Sequence, residues 1–167
     1  REIFEQPEVI KNTLLGRIVN GNIKLDINID INSIKRIIIT ACGTSWHSAL
    51  LGKHFIEDFV KIPVEVDYAS EFRYRNPILR KDDLFIVISQ SGETADTLAA
   101  LEMAKKNKIR TLGIVNTVGS TISLKVDNNI FLNAGPEIGV ASTKAFTSQV
   151  LILFLFSLYL KEMITNK

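Results

Sequence analysis

Apolar runs and helical periodicities alternate along this chain of 167 residues. Five short runs rich in β-branched residues predict β-strands, at residues 35–41, 63–68, 84–88, 110–116 and 128–133. Apolar residues at helical spacing predict helices at residues 5–19, 45–60, 95–106, 121–125 and 143–165, and a short helix that begins within 69–79. This alternation predicts an α/β fold, a three-layer α-β-α sandwich around a parallel sheet with right-handed crossovers.

The pattern within an element also predicts its environment. The run at 84–88 is apolar throughout, which indicates a strand buried on both faces, whereas 63–68 alternates and indicates an edge strand. The helix at 45–60 has a predicted apolar stripe made of Leu50, Leu51, Phe55 and Phe59. Residues 20–33 mix Asn and Asp with Ile in no regular pattern and predict a loop, so residues 1–33 form an N-terminal helix and connector.

The predicted final helix contains VLILFLFSLYL at residues 150–160, which is apolar nearly all round. This stretch is about half as long as the ~20 residues that a membrane span requires, so we expect no membrane anchor. A helix that is apolar on all sides is typically buried on all sides. We therefore expect one face to pack on the sheet and the other on a partner subunit or a neighbouring domain, and we predict a homodimer.

A hydroxyl-rich turn connects the strand at 84–88 to the helix that begins near Ala95. This turn, SQSGET at residues 89–94, contains three hydroxyl side chains and one glycine, but neither a P-loop lysine nor the G-x-G-x-x-G fingerprint. Backbone N–H groups in the first turn of a helix lack intrahelical partners and favour anions. The turn is therefore a candidate phosphate site with Ser89, Ser91 and Thr94 as ligands. Simple helix capping is the alternative, because Ser and Thr favour N-caps whatever the function.

A second turn of this kind, Gly43-Thr44-Ser45, follows the strand at 35–41. Open α/β sheets bind ligands beyond the carboxyl ends of their strands, where the strand order reverses. If the strands at 35–41 and 84–88 are neighbours whose helices leave on opposite faces, the two turns form the walls of one crevice. The sequence then predicts one site instead of two unrelated turns.

Composition excludes several functional classes. With 46% hydrophobic residues the chain suits one compact domain, and a net charge of +2 without a basic tract argues against nucleic-acid binding. One cysteine and two histidines provide no disulfide or metal-ligand cluster, so we expect neither a metal nor a cofactor. The lone cysteine and the lack of a signal peptide predict a cytoplasmic location. Because the chain begins with Arg1 and not Met, we expect it to be part of a larger protein.

Four segments together resemble a known family. They are ACGTS at residues 41–45, ASEFRYR at 69–75, SQSGETADT at 89–97 and EIGVASTKAFT at 137–147. The chain resembles, over nearly its whole length, the first sugar isomerase (SIS) domain of the glutamine–fructose-6-phosphate aminotransferases (isomerizing), or glucosamine-6-phosphate synthases. The SQSG-type loop alone occurs across many SIS proteins, whereas the four segments together are more specific. The resemblance implies a single SIS domain over residues 1–167, with a five-stranded parallel sheet of flavodoxin-like order.

The resemblance also implies a ligand and a set of site residues. The ligand is fructose 6-phosphate or its product, glucosamine 6-phosphate, and the family's counterparts of Ser89, Ser91 and Thr94 hold the phosphate. Residues matching Thr44 and Ser45 contact the sugar or its phosphate. The complete predicted substrate site consists of Gly43, Thr44, Ser45, Ser89, Gln90, Ser91, Gly92, Thr94, Val140 and Ser142, of which Val140 and Ser142 line the sugar end.

The family's catalytic groups lie in other domains. A glutaminase domain carries a nucleophilic cysteine, and a second SIS domain carries a Schiff-base lysine, a carboxylate and a ring-opening histidine. We therefore expect this chain to have no catalytic residue and to bind the sugar phosphate without turning it over. Two alternatives remain: a non-catalytic, phosphosugar-sensing SIS module of a regulator, and a complete single-domain SIS isomerase acting as an oligomer.

Three reactive side chains near these turns have structural interpretations. Cys42 lies at a strand end without a plausible base, so we expect no nucleophilic role. His47 falls at the positive end of a helix, where a cation is unfavourable, and we expect it to be solvated or packed. Glu93 would repel a phosphate, and we expect it to accept hydrogen bonds from helix N–H groups, with a contact to a sugar hydroxyl as the alternative.

The last candidates are charged residues in the other two motif segments. For Glu137 and Lys144 we expect a surface ion pair, with a role in the site as the alternative. For Arg73 and Arg75 the alternatives are a subunit contact and plain exposure.

Overall fold

A five-stranded parallel sheet forms the centre of the computed structural model, which describes residues 1–166. A short antiparallel hairpin, β1 (Ile18–Val19) and β2 (Asn22–Ile23), precedes the sheet. The sheet itself consists of β3 (Arg36–Ala41), β4 (Val64–Tyr68), β5 (Asp83–Ser89), β6 (Arg110–Val115) and β7 (Asn128–Phe131). Its order, β4-β3-β5-β6-β7, is flavodoxin-like. The predicted α/β sandwich and the predicted edge strand at 63–68 are both confirmed.

Helices cover both faces of the sheet. They are α1 (Gln6–Leu14), α2 (Thr44–Val60), α3 (Ala69–Phe72), α4 (Ala95–Lys106), α5 (Thr121–Lys125) and α6 (Lys144–Thr165), with 3-10 turns at Glu2–Glu5 and Ile31–Ser33. Helices α1, α2 and α6 pack on one face, and α3, α4 and α5 on the other. Strand β5 serves both cores, because Ile86 faces the α2 side and the adjacent Phe85 and Val87 face the α4 side.

The N-terminal helix is shorter than predicted. It ends at Leu14 instead of residue 19, and Gly16 then adopts a φ of 73°. Residues 18–23 form the hairpin, whose turn places Asn20 and Gly21 at φ values of 51° and 77°. The predicted loop at 20–33 likewise contains β2 and a 3-10 turn, and its apolar side chains Leu25, Ile29 and Ile31 are buried in the core.

The buried face of α2 differs from the predicted stripe. Leu51 is exposed, and Leu50, Phe55 and Phe59 are only partly buried. The buried positions are instead Ser48, Ala49, Gly52, Ile56 and Val60. A Cβ on Gly52 would lie 2.9 Å from a Leu153 methyl group, so the small residues allow α6 to approach closely. Hydrophobic periodicity missed this face because three of its five buried positions, Ser48, Ala49 and Gly52, carry small side chains.

Helix α6 is a core element of the fold. By length and hydropathy alone, it is the one helix among residues 1–166 that could cross a membrane. Its side chains Ile152, Leu153 and Phe156 are nevertheless fully buried against the sheet and α2. The predicted packing of one face on the sheet is therefore confirmed.

Candidate functional site

Both hydroxyl turns lie at the carboxyl edge of the sheet, on adjacent strands. Strands β3 and β5 pair directly, with Ala41 opposite Ile88, while α2 and α4 leave on opposite faces. The predicted switch point is confirmed. A contact across it joins the end of β3 to α4, because the Cys42 sulfur lies 3.8 Å from the Thr97 hydroxyl in the first turn of α4. Cys42 thus packs against the core on the α4 side of the sheet.

The turn after β5 is held by its own hydroxyl groups. The Ser89 Oγ accepts a hydrogen bond from the Gly92 N–H at 3.0 Å and lies 3.0 Å from the Thr94 Oγ1. The Ser91 Oγ accepts from the Glu93 N–H at 3.2 Å. Ser89 is buried, Thr94 is half-buried and Ser91 is exposed. Because Ser89 and Thr94 share one hydrogen between them, the proton of the second hydroxyl remains free to donate to a ligand.

These hydroxyls do not cap α4. Thr94 occupies the N-cap position, yet within residues 1–166 no capping bond from its side chain to the helix is formed. The Ser89 and Ser91 oxygens bond inside the turn instead. Simple capping is therefore not what this turn does, and the first N–H groups of α4 retain their capacity to bind an anion. The Asp96 carboxylate in the same helical turn is partly neutralised by Arg73, 3.6 Å away.

The turn after β5 is also fixed from outside. The Gly92 carbonyl accepts from the Ile122 N–H at 3.0 Å, and the Glu93 carboxylate accepts from the Thr121 N–H at 2.8 Å. Hydrogen bonding to Thr121 holds the pKa of Glu93 below its usual value, which keeps the carboxylate ionised. Glu93 thus caps α5, in agreement with its predicted structural role.

The turn after β3 leads directly into α2. Gly43 adopts a φ of 56°, and Thr44 and Ser45 are the first residues of the helix. The Ser45 hydroxyl accepts a hydrogen bond from the Gln149 amide at 2.9 Å. His47 is exposed beside Trp46, as predicted, with ring centroids 5.2 Å apart. Among residues 1–166, no group of three His, Cys, Asp or Glu side chains could hold a metal ion.

The segment that follows β7 contains the two predicted sugar-end residues. Val140 is fully exposed, so its position beside a sugar stays a prediction. The Ser142 hydroxyl donates to Glu137 at 3.0 Å, and the same carboxylate accepts from the Thr143 N–H at 2.8 Å. Glu137 therefore holds this loop against the start of α6. The structure brings the β3 and β5 turns together, but it does not bring Val140 to them.

Lys144 does not form the predicted surface ion pair. It is 4% exposed, and its Nζ lies 2.6 Å from the Glu5 carboxylate, 139 residues away in sequence. The hydrogen bond from Lys144 holds the pKa of Glu5 below its usual value. A cavity of about 810 Å³ adjoins this pair, between residues 1–12 and 134–144. No local sequence pattern signalled this contact.

The two arginines of the ASEFRYR segment form ion pairs at the surface. Arg75 bonds Asp67 at 2.5 Å, and its guanidinium lies over the Phe72 ring, 5.7 Å from the ring centroid. Arg73 pairs with Asp96 as described above. Both arginines are exposed. Of the two alternatives, plain exposure agrees with the structure, and a subunit contact through them is untested.

Comparisons with known proteins assign the fold to a family. A family model described as the SIS domain matches residues 30–158. A glutamine–fructose-6-phosphate aminotransferase (isomerizing) from Chlorobaculum tepidum is 55% identical over 97% of this chain and 27% of its own length. A protein of the same name from Mycobacterium tuberculosis is 48% identical over 97% of this chain.

Solved structures agree with this assignment. The C-terminal domain of glucosamine-fructose-6-phosphate aminotransferase from Francisella tularensis is 42% identical, with a TM-score of 0.93 over 99% of this chain and 48% of that one. A glucosamine-6-phosphate deaminase from Thermotoga maritima, 23% identical with a TM-score of 0.78, shares the fold. The chain spans about a quarter of the length of the curated relatives it matches. Because the family model covers most of the sequence and the sheet has the expected order, the chain belongs to the SIS domain family.

Proposed function

We propose that this chain is the first SIS domain of a glutamine–fructose-6-phosphate aminotransferase and that it binds fructose 6-phosphate and glucosamine 6-phosphate. The observation that carries the proposal is the uncapped start of α4 beside the Ser89 and Thr94 hydroxyls. The four motif segments and the identities of 55% and 48% to relatives of that name support it.

The proposed site holds a phosphate dianion with uncharged donors. The free N–H groups of the first turn of α4 lie at the positive end of the helix dipole. The hydroxyls of Ser89, Ser91 and Thr94 add donors that can rotate towards the ligand. Hydrogen bonds to a charged group contribute about 1.5–3 kcal/mol each. Gly43, Thr44 and Ser45 form the opposite wall, and Gln90 adjoins the phosphate.

The proposed role of the chain is to position the sugar, not to turn it over. The phosphate is remote from the carbons that react, so its binding energy can hold those carbons in register with catalytic groups. We propose that a glutaminase domain and a second SIS domain of the parent protein supply those groups. The chain's coverage of only 27% of a curated relative, and of 48% of the Francisella domain, supports this division. We further propose a cytoplasmic location.

We also propose that two copies of the chain associate through α2 and α6. An apolar groove of about 370 Å³ lies between these helices and α1, lined by Ile10, Leu51, Phe55, Phe146, Thr147, Val150, Leu151 and Phe154. Leu51 and Ile10 are each 39% exposed at its rim. An apolar surface of this kind is typical of a protein contact.

Calorimetry of the 167-residue chain tests the proposed ligand. Fructose 6-phosphate should bind the unmodified chain, and fructose without the phosphate should bind far more weakly. Replacing Ser89 and Thr94 together by Ala removes two donors and should weaken binding about 100-fold. The exposed Thr165→Ala is the matched control, because it removes a hydroxyl at the last residue of α6, far from the turns after β3 and β5. Unchanged affinity in the double variant contradicts the proposed site. Isomerisation of the sugar by the chain alone would instead favour a complete single-domain isomerase.

A further inference from the structure

The buried side-chain amide of Gln149, on α6, bonds Ser45 of the proposed site. Gln149 is 1% exposed and lies in the helix whose neighbouring positions Ile152 and Leu153 belong to the apolar core. Its Nε2 donates to the Ser45 Oγ at 2.9 Å, and its Oε1 accepts from the Ser48 Oγ at 3.0 Å. Burying an amide is unfavourable unless it is hydrogen-bonded. Here the amide nitrogen and the amide oxygen of Gln149 both bond side chains of α2.

The orientation of this amide decides what the Ser45 hydroxyl can do. While the Gln149 N–H donates to Ser45, the hydroxyl oxygen is an acceptor and its own proton remains free to donate elsewhere. In the opposite orientation the Gln149 oxygen would accept that proton, and none would remain for a ligand. The Ser48 hydroxyl supports the first orientation when its single proton goes to the Gln149 Oε1, 3.0 Å away, and the Ser45 carbonyl, 2.7 Å away, competes for that proton.

We propose that Gln149 is a positioning residue for the phosphosugar site: its amide holds the Ser45 hydroxyl as an acceptor and so directs the Ser45 proton to an oxygen of the bound ligand. This inference rests on the proposed function, because it assigns a role to Ser45 in that site. It predicts that Gln149 affects ligand binding only through the Ser45 hydroxyl. A residue that merely filled space in the core would act independently of Ser45.

A double-mutant cycle measured by calorimetry with fructose 6-phosphate tests this dependence. Gln149→Met keeps the length of the side chain and removes both hydrogen bonds, so it should weaken binding about tenfold when Ser45 is present. In the Ser45→Ala background the same substitution should change affinity by less than about twofold, because the group through which it acts is gone. Equal losses in both backgrounds, or no loss in either, overturn the proposal.

Two further variants separate positioning from stability. Ser148→Ala is the matched control, since Ser148 is also buried on α6 but bonds Thr13 and the Leu132 carbonyl, away from the site. It should lower the melting temperature and leave affinity unchanged. Ser48→Ala releases the amide and should weaken binding less than Gln149→Met does. It also serves as the test should Gln149→Met fail to fold, and in that case unchanged affinity in Ser48→Ala overturns the proposal.

The two proposals fail in different ways. If the unmodified chain does not bind fructose 6-phosphate, the proposed function is wrong and this inference with it. If the unmodified chain binds and the Ser89 and Thr94 double variant does not, while the Gln149 cycle is additive, only the role of Gln149 is wrong.

Discussion

Gly92 is the residue on which the shape of the turn after β5 depends. Its φ of 71° lies in the left-handed region, and a Cβ at this position would lie 2.1 Å from the Ser120 hydroxyl oxygen. Ser120 is the N-cap of α5, so the two loops are in direct contact at this point. The glycine was predictable as a turn residue. Its contact with Ser120 was not, because it depends on how the loops after β5 and β6 pack.

Gly92→Ala should therefore destabilise the fold and distort the site. We expect a loss of about 3 kcal/mol in the free energy of unfolding, part from the left-handed φ and part from the clash. Gly119→Ala is the control, because Gly119 has a φ of 77° but open space around its Cβ position. It should lose about 1 kcal/mol in denaturant titrations. Equal losses for the two variants would contradict the role of Ser120.

Arg36 and Asp83 form a buried ion pair at the start of β3 and β5. Two guanidinium N–H groups donate to the two carboxylate oxygens at 2.8 Å and 2.7 Å, and Asp83 is fully buried. Hydrogen bonding to Asp83 raises the pKa of Arg36, so this cation stays charged at any pH the fold tolerates. The pair was not predicted, since its members are 47 residues apart and meet only through the register of the two strands.

Asp83→Asn should leave the Arg36 charge without its main partner. Breaking a buried pair by removing one member costs about 3–5 kcal/mol, and we expect a loss in that range by denaturant titration. Glu65→Gln removes the exposed partner of the same arginine, 3.0 Å away, and should cost less than about 1 kcal/mol. Comparable losses for the two variants would show that burial does not govern this pair.

At the scale of elements, the sequence-based prediction was accurate where the signal comes from residues close together in the sequence. The bounds of α4 and α5 are as predicted, because caps, turns and periodicity are contiguous there. The end of α1 and the buried face of α2 were wrong. In α1, Leu15, Ile18 and Val19 continue the helical spacing, and only Gly16 and the hairpin turn interrupt it. In α2, the close approach of α6 to Gly52 decides which face is buried.

The contact between the N-terminal segment and α6 is another non-local element contact, and it should depend on pH. The hydrogen bond from Lys144 lowers the pKa of Glu5 in the folded chain below its usual value of 4.5. A carboxylate whose pKa is lower in the folded chain than in the unfolded chain stabilises the fold at pH values above its unfolded-state pKa. That contribution is lost as the pH falls through the folded-state pKa.

Thermal unfolding of the chain against pH measures this contribution. The melting temperature should fall as pH drops below 4.5, and Lys144→Met should make the fall shallower because it removes the partner of Glu5. Glu8→Gln is the control, since it changes an exposed carboxylate of the same segment. Identical pH profiles for Lys144→Met and the unmodified chain would contradict the assigned cause.

At the scale of the whole molecule, the alternation of strands and helices predicted the α/β sandwich, and the family resemblance supplied the strand order. Right-handed crossovers and the two-sided burial of β5 left few arrangements of five parallel strands. The convergence of the β3 and β5 turns was predicted on the condition that these strands are neighbours, and their direct pairing meets that condition. The bond between Gln149 and Ser45 did not, because it joins residues 104 positions apart through helix packing. The proposed hydroxyl ligands could therefore be named from sequence, while the Gln149 side chain bonded to Ser45 could not.

Self-association tests the proposed contact between α2 and α6 of two copies. Light scattering at high concentration should give the mass of a dimer for the unmodified chain, and Leu51→Glu should give a monomer by charging the groove rim. Leu124 lies in α5 on the opposite face of the sheet and is 77% exposed. The Leu124→Glu variant should therefore still form a dimer. A monomeric unmodified chain contradicts the proposed contact, as does a dimeric Leu51→Glu variant.

The most direct test of the central claim is a backbone amide NMR titration of the chain with fructose 6-phosphate. One dianion held between the turns after β3 and β5 should shift the amides of residues 43–45 and 89–97 together, along a single saturating curve. Inorganic phosphate should shift the amides of residues 89–97 more strongly than those of residues 43–45. Shifts confined to one turn, or concentrated at the cavity between residues 1–12 and 134–144, would contradict a phosphosugar site at this edge of the sheet.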